Sequence, residues 1–286
     1  GYVEASRGCK HLCRHCPIPP VYGGRFFVVP PDVVLADVRQ QVLAGVTHVT
    51  FGDPDFLNGP RHALAVARGL HAEFPDVTFD FTAKVEHLLR HRALLPELRS
   101  LGCAFVVSAV ESLSDTVLRH LDKGHTRADV EAVVALMRQA GIALRPTWVA
   151  FTPWTTLADY RAMLDFVLDE GLVDHVDPVQ YSLRLLVPPG SLLAGHPAMR
   201  PHLGPLVDGA FSHAWTHPDP RLDALQAEVA RVVEAAAEAH ADEAVTFGRV
   251  RALADAVDGR AAQPLAARLS EPGRARPPRL TEPWFC

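Results

Sequence analysis

Apolar positions along the chain alternate between two rhythms. After Pro30 and Pro31, Val34, Leu35, Val38 and Val42 recur at helical spacing until Gly45, which predicts a helix with proline at its start. HVTFGDPD (His48 to Asp55) follows as a β-rich run ending in turn residues. The pair then repeats: a helix over Arg61 to Phe74, a strand in VTFDFTAK (Val77 to Lys84), a helix over Leu88 to Leu101 stopped by Gly102, and a buried strand in CAFVVSAVES (Cys103 to Ser112). Thr126-Arg-Ala-Asp129 and Thr156-Leu-Ala-Asp159 read as capping boxes of two more helices, ending near Gly141 and Gly171. IALRPTWVAF (Ile142 to Phe151) and PVQYSLRLLV (Pro178 to Val187) supply later strands, and Tyr2 to Ala5 an opening one.

Six βα repeats with short loops imply a parallel sheet with right-handed crossovers, in either a doubly wound sheet or a barrel. From Pro188 the pattern gives way to a Pro/Gly/His-rich stretch that runs to Pro220. A long helix then fits Leu222 to His240, with more helix from Arg249 to Val257. Gln263 to Pro278 is rich in Pro, Arg and Ala without periodicity and reads as a linker or extended tail. The expected division is a core over residues 1–187, a mostly helical extension over 188–262, and a tail over 263–286 ending in Cys286.

The chain has 286 residues, 48% hydrophobic and 21% charged, enough to bury a core. A net charge of −5 argues against a nucleic-acid binder working through bulk charge, so nucleic acid is not the expected partner. No apolar run reaches the ~18 residues a membrane helix needs. No signal peptide is visible. The chain opens at Gly1 inside a strand-like run, which reads as a fragment lacking its upstream portion. Five cysteines, three of them clustered, fit a reducing cytoplasm better than a disulfide framework.

The clustered cysteines are Cys9, Cys13 and Cys16 in RGCKHLCRHC. Thiolates are soft donors that select zinc or iron–sulfur clusters. Two readings of the spacing stay open. A cubane cluster wrapped at three corners leaves one iron for a small chelating molecule, which an electron-transfer site with a full set of cysteines would not. Alternatively, His11 or His15 completes a zinc site.

The C-x3-C-x2-C spacing resembles the radical S-adenosylmethionine (SAM) superfamily. That resemblance implies a partial (β/α)6 barrel with a helical C-terminal extension, and a 4Fe–4S cluster on Cys9, Cys13 and Cys16. SAM would chelate the open iron and be cleaved reductively to a 5′-deoxyadenosyl radical. Gly52-Asp53-Pro54 resembles the superfamily's G-G-E-P segment, which holds the SAM ammonium. AVESLSDTVLRHLDKGHT resembles its G-x-E-S…L…K-G run, so Glu111 and Ser112 are expected near the ribose. Arg145 or Arg184 would pair with the SAM carboxylate as a bidentate fork. Lys84 and Glu86, at the end of the third strand, either contact SAM or substrate or form a surface ion pair. One departure is His15, where many members carry an aromatic residue. A reductant such as flavodoxin or ferredoxin is implied. The substrate is an unidentified small molecule or peptide, with metalloid, selenium or sulfur chemistry among the options.

The segments VTFGDPDFLNG, KVEHLLRH, LDKGHT, FTPWTTL, DPVQYSLRLL and LTEPWFC are similar to a narrower group, the radical SAM proteins with a CUAEP or CCAEP tail. In that group a Cys–selenocysteine or Cys–Cys pair lies near the C-terminus. The resemblance implies truncation at a selenocysteine codon after Cys286, and leaves open a cobalamin-binding-type domain upstream.

Overall fold

The computed structural model describes residues 1–261 and 276–278. Most of the expected tail, Cys286 included, therefore lies outside the described residues. Packing divides the chain into two units, Gly1–Val110 with Arg127–Pro146, and Glu111–Thr126 with Thr147 onward.

In chain order the elements up to the end of the long central strand are β1 (Tyr2–Val3), β2 (Ser6–Gly8), α1 (Ile18–Tyr22), β3 (Phe26–Val28), α2 (Pro31–Leu43), β4 (His48–Phe51), α3 (Pro60–Glu73), β5 (Thr78–Ala83), α4 (Val85–Arg90), α5 (Leu95–Ser100) and β6 (Cys103–Glu111). They continue with α6 (Asp115–Leu121), α7 (Arg127–Ala140), β7 (Ala143–Trp148), α8 (Leu157–Asp169), β8 (Leu203–Val207), β9 (Ser212–Trp215), α9 (Pro220–Glu238) and α10 (Glu243–Val257). The main sheet has the order β1-β4-β5-β6-β7, and β4 pairs in parallel with both β1 and β5, as β5 does with β6. The expected α/β class with a parallel sheet is the one observed.

The alternation of the sequence explains the sheet's two faces. Phe51, Phe56, Phe79 and Phe81 are fully buried, and the Phe51 and Phe56 rings stack at 4.7 Å. Thr50 and Asp80 occupy the intervening positions, and the Thr50 hydroxyl donates to Asp80 Oδ1 at 2.6 Å. Helix α3 buries Ala63, Val66, Ala67 and Leu70, the i, i+3, i+4, i+7 stripe of an amphipathic helix. Helix α7 does the same with Val130, Val133, Val134 and Met137. Each such aliphatic side chain larger than alanine contributes about 1.5–3 kcal/mol on burial.

Several expectations need correction. The opening strand ends at Val3, and Ser6–Gly8 leaves the main sheet for an antiparallel hairpin with Phe26–Val28. Gly8 closes it at φ +77, where a Cβ would meet the Arg25 carbonyl oxygen at 2.3 Å. The helix expected over Leu88 to Leu101 breaks into α4, a 3₁₀ turn at Arg92–Leu94, and α5. Pro96 is the reason: it lacks an N–H and tolerates only the first turn of a helix, so α5 must start just before it.

The sixth strand shrinks to a single parallel bridge between Phe151 and Arg184, and Pro178–Tyr181 forms a 3₁₀ turn. Here the Trp148 N–H donates to the Gln180 side-chain oxygen at 2.9 Å, so a side chain takes a bond that a ladder would have made. Within the Pro/Gly/His-rich stretch, β8 and β9 form an antiparallel hairpin that periodicity does not announce. Trp215 of β9 joins Val117, Leu121, Leu185, Val187, Leu193 and Met199 in the core of the second unit. The Thr156 box forms as expected: the Asp159 N–H donates to Thr156 Oγ1 at 3.0 Å, and the Thr156 N–H donates to Asp159 Oδ2 at 2.9 Å. Helix α10 begins earlier than expected because Asp242 caps it, accepting from the Ala244 N–H at 2.8 Å. Among the described residues, no helix is long and apolar enough to cross a membrane.

Candidate functional site

The three cysteines lie in the irregular segment between β2 and α1. None of them is in a disulfide; Cys9 and Cys13 are buried and Cys16 is half-buried. The Cys16 N–H donates to the Cys13 carbonyl at 3.2 Å, which curls the second half of the loop. Its first half is fastened to Asn58, which sits on a 3₁₀ turn after β4. The Lys10 ammonium donates to the Asn58 carbonyl at 2.7 Å, and the Lys10 N–H to Asn58 Oδ1 at 3.3 Å. The Cys9 thiol points to the same oxygen at 3.9 Å, while Asn58 Nδ2 is buried with no hydrogen-bond partner. Burial pushes the Cys9 thiol pKa up, with bonds to His11 and Asn58 pulling the other way.

Gly52, Asp53, Pro54 and Asp55 follow β4 directly. A Cβ at Gly52 would fall 1.9 Å from the Tyr2 phenolic oxygen, so the glycine makes room for that ring. The Tyr2 hydroxyl donates to the Gly52 carbonyl at 3.3 Å. Asp53 is buried and accepts from the Ala5 N–H at 2.8 Å and from the Ser6 hydroxyl, tying the β1–β2 link to the end of β4. Burial raises its pKa, opposed by those same bonds. Asp55 accepts from the Leu57 N–H at 3.0 Å and the Lys84 N–H at 3.1 Å, and its Oδ2 lies 2.8 Å from His87 Nδ1 without the alignment of a hydrogen bond.

The end of β5 and the start of α4 add Lys84, Glu86 and His87. Lys84 is buried and lies 3.6 Å from Glu86, so this is no surface ion pair. His87 Nε2 sits 3.0 Å from Nε2 of His11 in the cysteine loop. Burial, reinforced by Lys84 and His87, pushes the His11 pKa down to about 4, so the ring is neutral at ordinary pH. Sequence reasoning missed Asp55 and His87. The one trace of them is that both lie at strand ends, since they meet His11 only through the fold. Arg145, on β7, is buried with its guanidinium 6.0 Å from the Phe105 ring centre.

In the second unit Glu111 ends β6 in the left-handed region at φ 66, and its carboxylate lies 3.3 Å from the Lys123 ammonium. Both side chains are buried. The Ser112 hydroxyl accepts from the Ser114 N–H at 3.0 Å, shaping the entry to α6. Arg184 donates to Asp223 at 2.6 Å and to the Trp215 carbonyl at 2.5 Å, with its guanidinium 3.5 Å from the Trp215 ring centre. Its charge is thus already matched within the second unit. The first unit therefore gathers the cysteine loop, residues 52–55 and residues 84–87, whereas Glu111, Ser112 and Arg184 belong to the second.

Comparison with known proteins adds to this geometry. The model of the radical SAM superfamily matches residues 3–155. The ribosomal protein uS12 methylthiotransferase RimO of Geotalea uraniireducens is 26% identical over 200 residues, spanning 63% of this chain and 42% of that protein. The tRNA-2-methylthio-N(6)-dimethylallyladenosine synthase of Sorangium cellulosum is 28% identical over 194 residues, 59% of this chain and 39% of that protein. The chain thus spans about two fifths of the length of these curated relatives. Among solved structures, the cobalamin-dependent SAM radical enzyme OxsB with aqua-cobalamin and SAM bound aligns with a TM-score of 0.67 at 15% identity, over 86% of this chain and 46% of that one. Coproporphyrinogen III oxidase (HemN) of Escherichia coli aligns with a TM-score of 0.51 at 15% identity, over 82% of this chain and 51% of that one. At these identities the structural likeness speaks for the fold.

Proposed function

Because this chain belongs to the radical SAM superfamily, we propose that Cys9, Cys13 and Cys16 hold a 4Fe–4S cluster whose open corner takes SAM. The observation that carries the reading is a C-x3-C-x2-C loop whose three thiols stand outside any disulfide, with two of them buried. Their donor chemistry fits an iron–sulfur cluster. The orphaned Asn58 amide beside Cys9 fits too, as a buried donor awaiting an acceptor such as a cluster sulfur. The His11 ring, turned to His87 at 3.0 Å, is already engaged rather than offered to complete a zinc site. When bound, the cluster supplies the electron that splits SAM into methionine and a 5′-deoxyadenosyl radical.

The chain's own residues position and enclose. Asp53 braces the β1–β2 link, leaving the Gly52–Pro54 backbone to meet the SAM ammonium. Arg145 or Arg184 is assigned to the SAM carboxylate, and Arg184 already donates to Asp223 and the Trp215 carbonyl. Glu111 and Ser112 are assigned to the ribose. Residues 1–187 form the core, 188–262 the extension and 263–286 the tail in this reading. The electron comes from a flavodoxin- or ferredoxin-like donor, and the substrate is a small molecule or peptide.

Anaerobic reconstitution with iron and sulfide tests the proposal. The expected result is a 4Fe–4S absorbance and 5′-deoxyadenosine on adding dithionite and SAM, both lost when any of the three cysteines becomes alanine. Bound zinc with no SAM cleavage would favour a non-catalytic metal-binding module and end the reading.

The likeness to methylthiotransferases over 59–63% of the chain favours sulfur-group transfer as a second reading. A methylthiolated product, formed with SAM and added sulfide, distinguishes it. The finer likeness to the CUAEP/CCAEP-tail group is also part of the proposal. It implies an in-frame Ala-Glu-Pro codon run beyond codon 286 and leaves open a cobalamin-binding-type segment upstream. Sequencing the gene on both sides decides both points.

A further inference from the structure

His87 is buried on α4, outside every residue assigned above, and yet it bridges the cysteine loop to the strand ends. Among the described residues, His11, Asp55 and His87 bring their donor atoms within 4.8 Å of one another. Asp55 is the fixed end of the chain. It is fully buried, with Oδ1 accepting from the Leu57 N–H at 3.0 Å and Oδ2 from the Lys84 N–H at 3.1 Å. Oδ2 also lies 2.8 Å from His87 Nδ1.

The direct tie between helix α4 and the loop is at the other ring nitrogen, His87 Nε2. It lies 3.0 Å from His11 Nε2, so one ring donates a hydrogen bond and the other accepts it. The two rings meet edge to face with centroids 4.7 Å apart.

A metal ion shared by the trio fits less well. Both Asp55 oxygens already accept from backbone amides, and the two Nε2 atoms alone leave a structural metal short of ligands. The position of His11 gives the chain its consequence. It lies between Cys9 and Cys13 in a segment with neither helix nor strand, where side-chain bonds set the loop's shape.

We infer that His87 is a positioning residue for the cysteine loop: through its bond to His11 it fixes the loop in the form that keeps the cluster seated. This rests on the reading that the three thiols hold a 4Fe–4S cluster. Outer partners of metal-binding segments typically change metal retention by about ten- to a hundredfold.

The test uses the full chain, reconstituted anaerobically, and compares wild type with His87→Ala, His87→Asn and His87→Gln. Iron and sulfide content, the rate of iron loss to a chelator, and the electron paramagnetic resonance spectrum of the reduced cluster are measured. Gln places an amide where Nε2 stood, able to donate or accept, and keeps a hydrogen-bond partner for His11. Asn keeps a polar group beside Asp55 but falls short of His11. The expected result is iron loss about tenfold faster, with an altered spectrum, in the Ala and Asn variants, and recovery to within about twofold of wild type in the Gln variant. If His87→Ala fails to fold by circular dichroism, His11→Phe removes the same bond from the loop side, leaves Asp55 and His87 paired, and should lose iron as fast.

Equal retention and equal spectra in wild type, Ala and Gln would overturn the inference while leaving the cluster reading intact. So would stoichiometric zinc beside the cluster that disappears in His87→Ala. A wild-type chain that takes up no cluster sinks the cluster reading, and the inference with it.

Discussion

The Lys123 ammonium lies 3.3 Å from the Glu111 carboxylate, and both side chains are buried beside a Glu111 backbone held at φ 66. A non-glycine residue in that region costs about 1–3 kcal/mol and persists only where its surroundings enforce it. The ion pair is part of that enforcement. Removing Lys123 alone takes a counter-charge away from a buried carboxylate.

Lys123→Met is therefore expected to destabilise the chain by about 3–5 kcal/mol in urea unfolding. Adding Glu111→Gln should return much of the loss, because an amide tolerates the site without a counter-charge. If the double variant is no more stable than Lys123→Met, the pair does not hold this turn.

Gly52 and Tyr2 make a second testable pair. A methyl group at position 52 would sit 1.9 Å from the Tyr2 hydroxyl oxygen and 2.0 Å from its ring carbon. Gly52→Ala is expected to cost about 1–3 kcal/mol, the usual range for overpacking. In a Tyr2→Ala background the same substitution should cost less than half as much. Equal costs in the two backgrounds, read from urea midpoints, would show that the ring is not what demands glycine.

The pH dependence of stability carries the signature of Asp53. Its pKa is raised above the ordinary 3.8, chiefly by burial. The folded state thus holds the proton more tightly than the unfolded chain. The stability this contributes is fully present below the ordinary value and is lost as pH rises through the raised one. Wild type should lose stability relative to Asp53→Asn across that window, with the difference levelling above it. Parallel curves for the two proteins between acid and neutral pH would contradict the assignment.

Thiol reactivity separates the cysteines. Cys103 is completely buried, and desolvation with the nearby Asp80 charge pushes its thiol far above the usual range. Cys16 is half-buried. In the chain without cluster, iodoacetamide should label Cys16 at least about tenfold faster than Cys103, which reacts only in denaturant. Reconstitution should protect Cys16 as well. Peptide mapping by mass spectrometry reads both outcomes, and rapid labelling of Cys103 in the folded chain would refute the burial argument.

Much of this was legible from short stretches. The i, i+3, i+4, i+7 spacing of Ala63, Val66, Ala67 and Leu70 announced α3, and the Thr156–Asp159 pair announced the start of α8, because the forces that make them act within one or two turns. The thiol spacing was enough to pose the choice between a cubane and a zinc site. What failed locally had local causes of its own: Pro96 split one helix, and the Gln180 side chain replaced a strand bond on Trp148.

The sequence by itself determined the βα alternation, the loop of three thiols and its placement after an opening strand. Only the tertiary structure decided what each acidic and basic group faces. Asp53 reaches back to Ala5 and Ser6, Arg184 is taken by Asp223 and Trp215, and His87 meets His11 across 76 positions of chain. Such pairings depend on strand register and helix placement, which sum many small packing terms from all over the chain. No window of sequence short enough to be read by periodicity contains that sum.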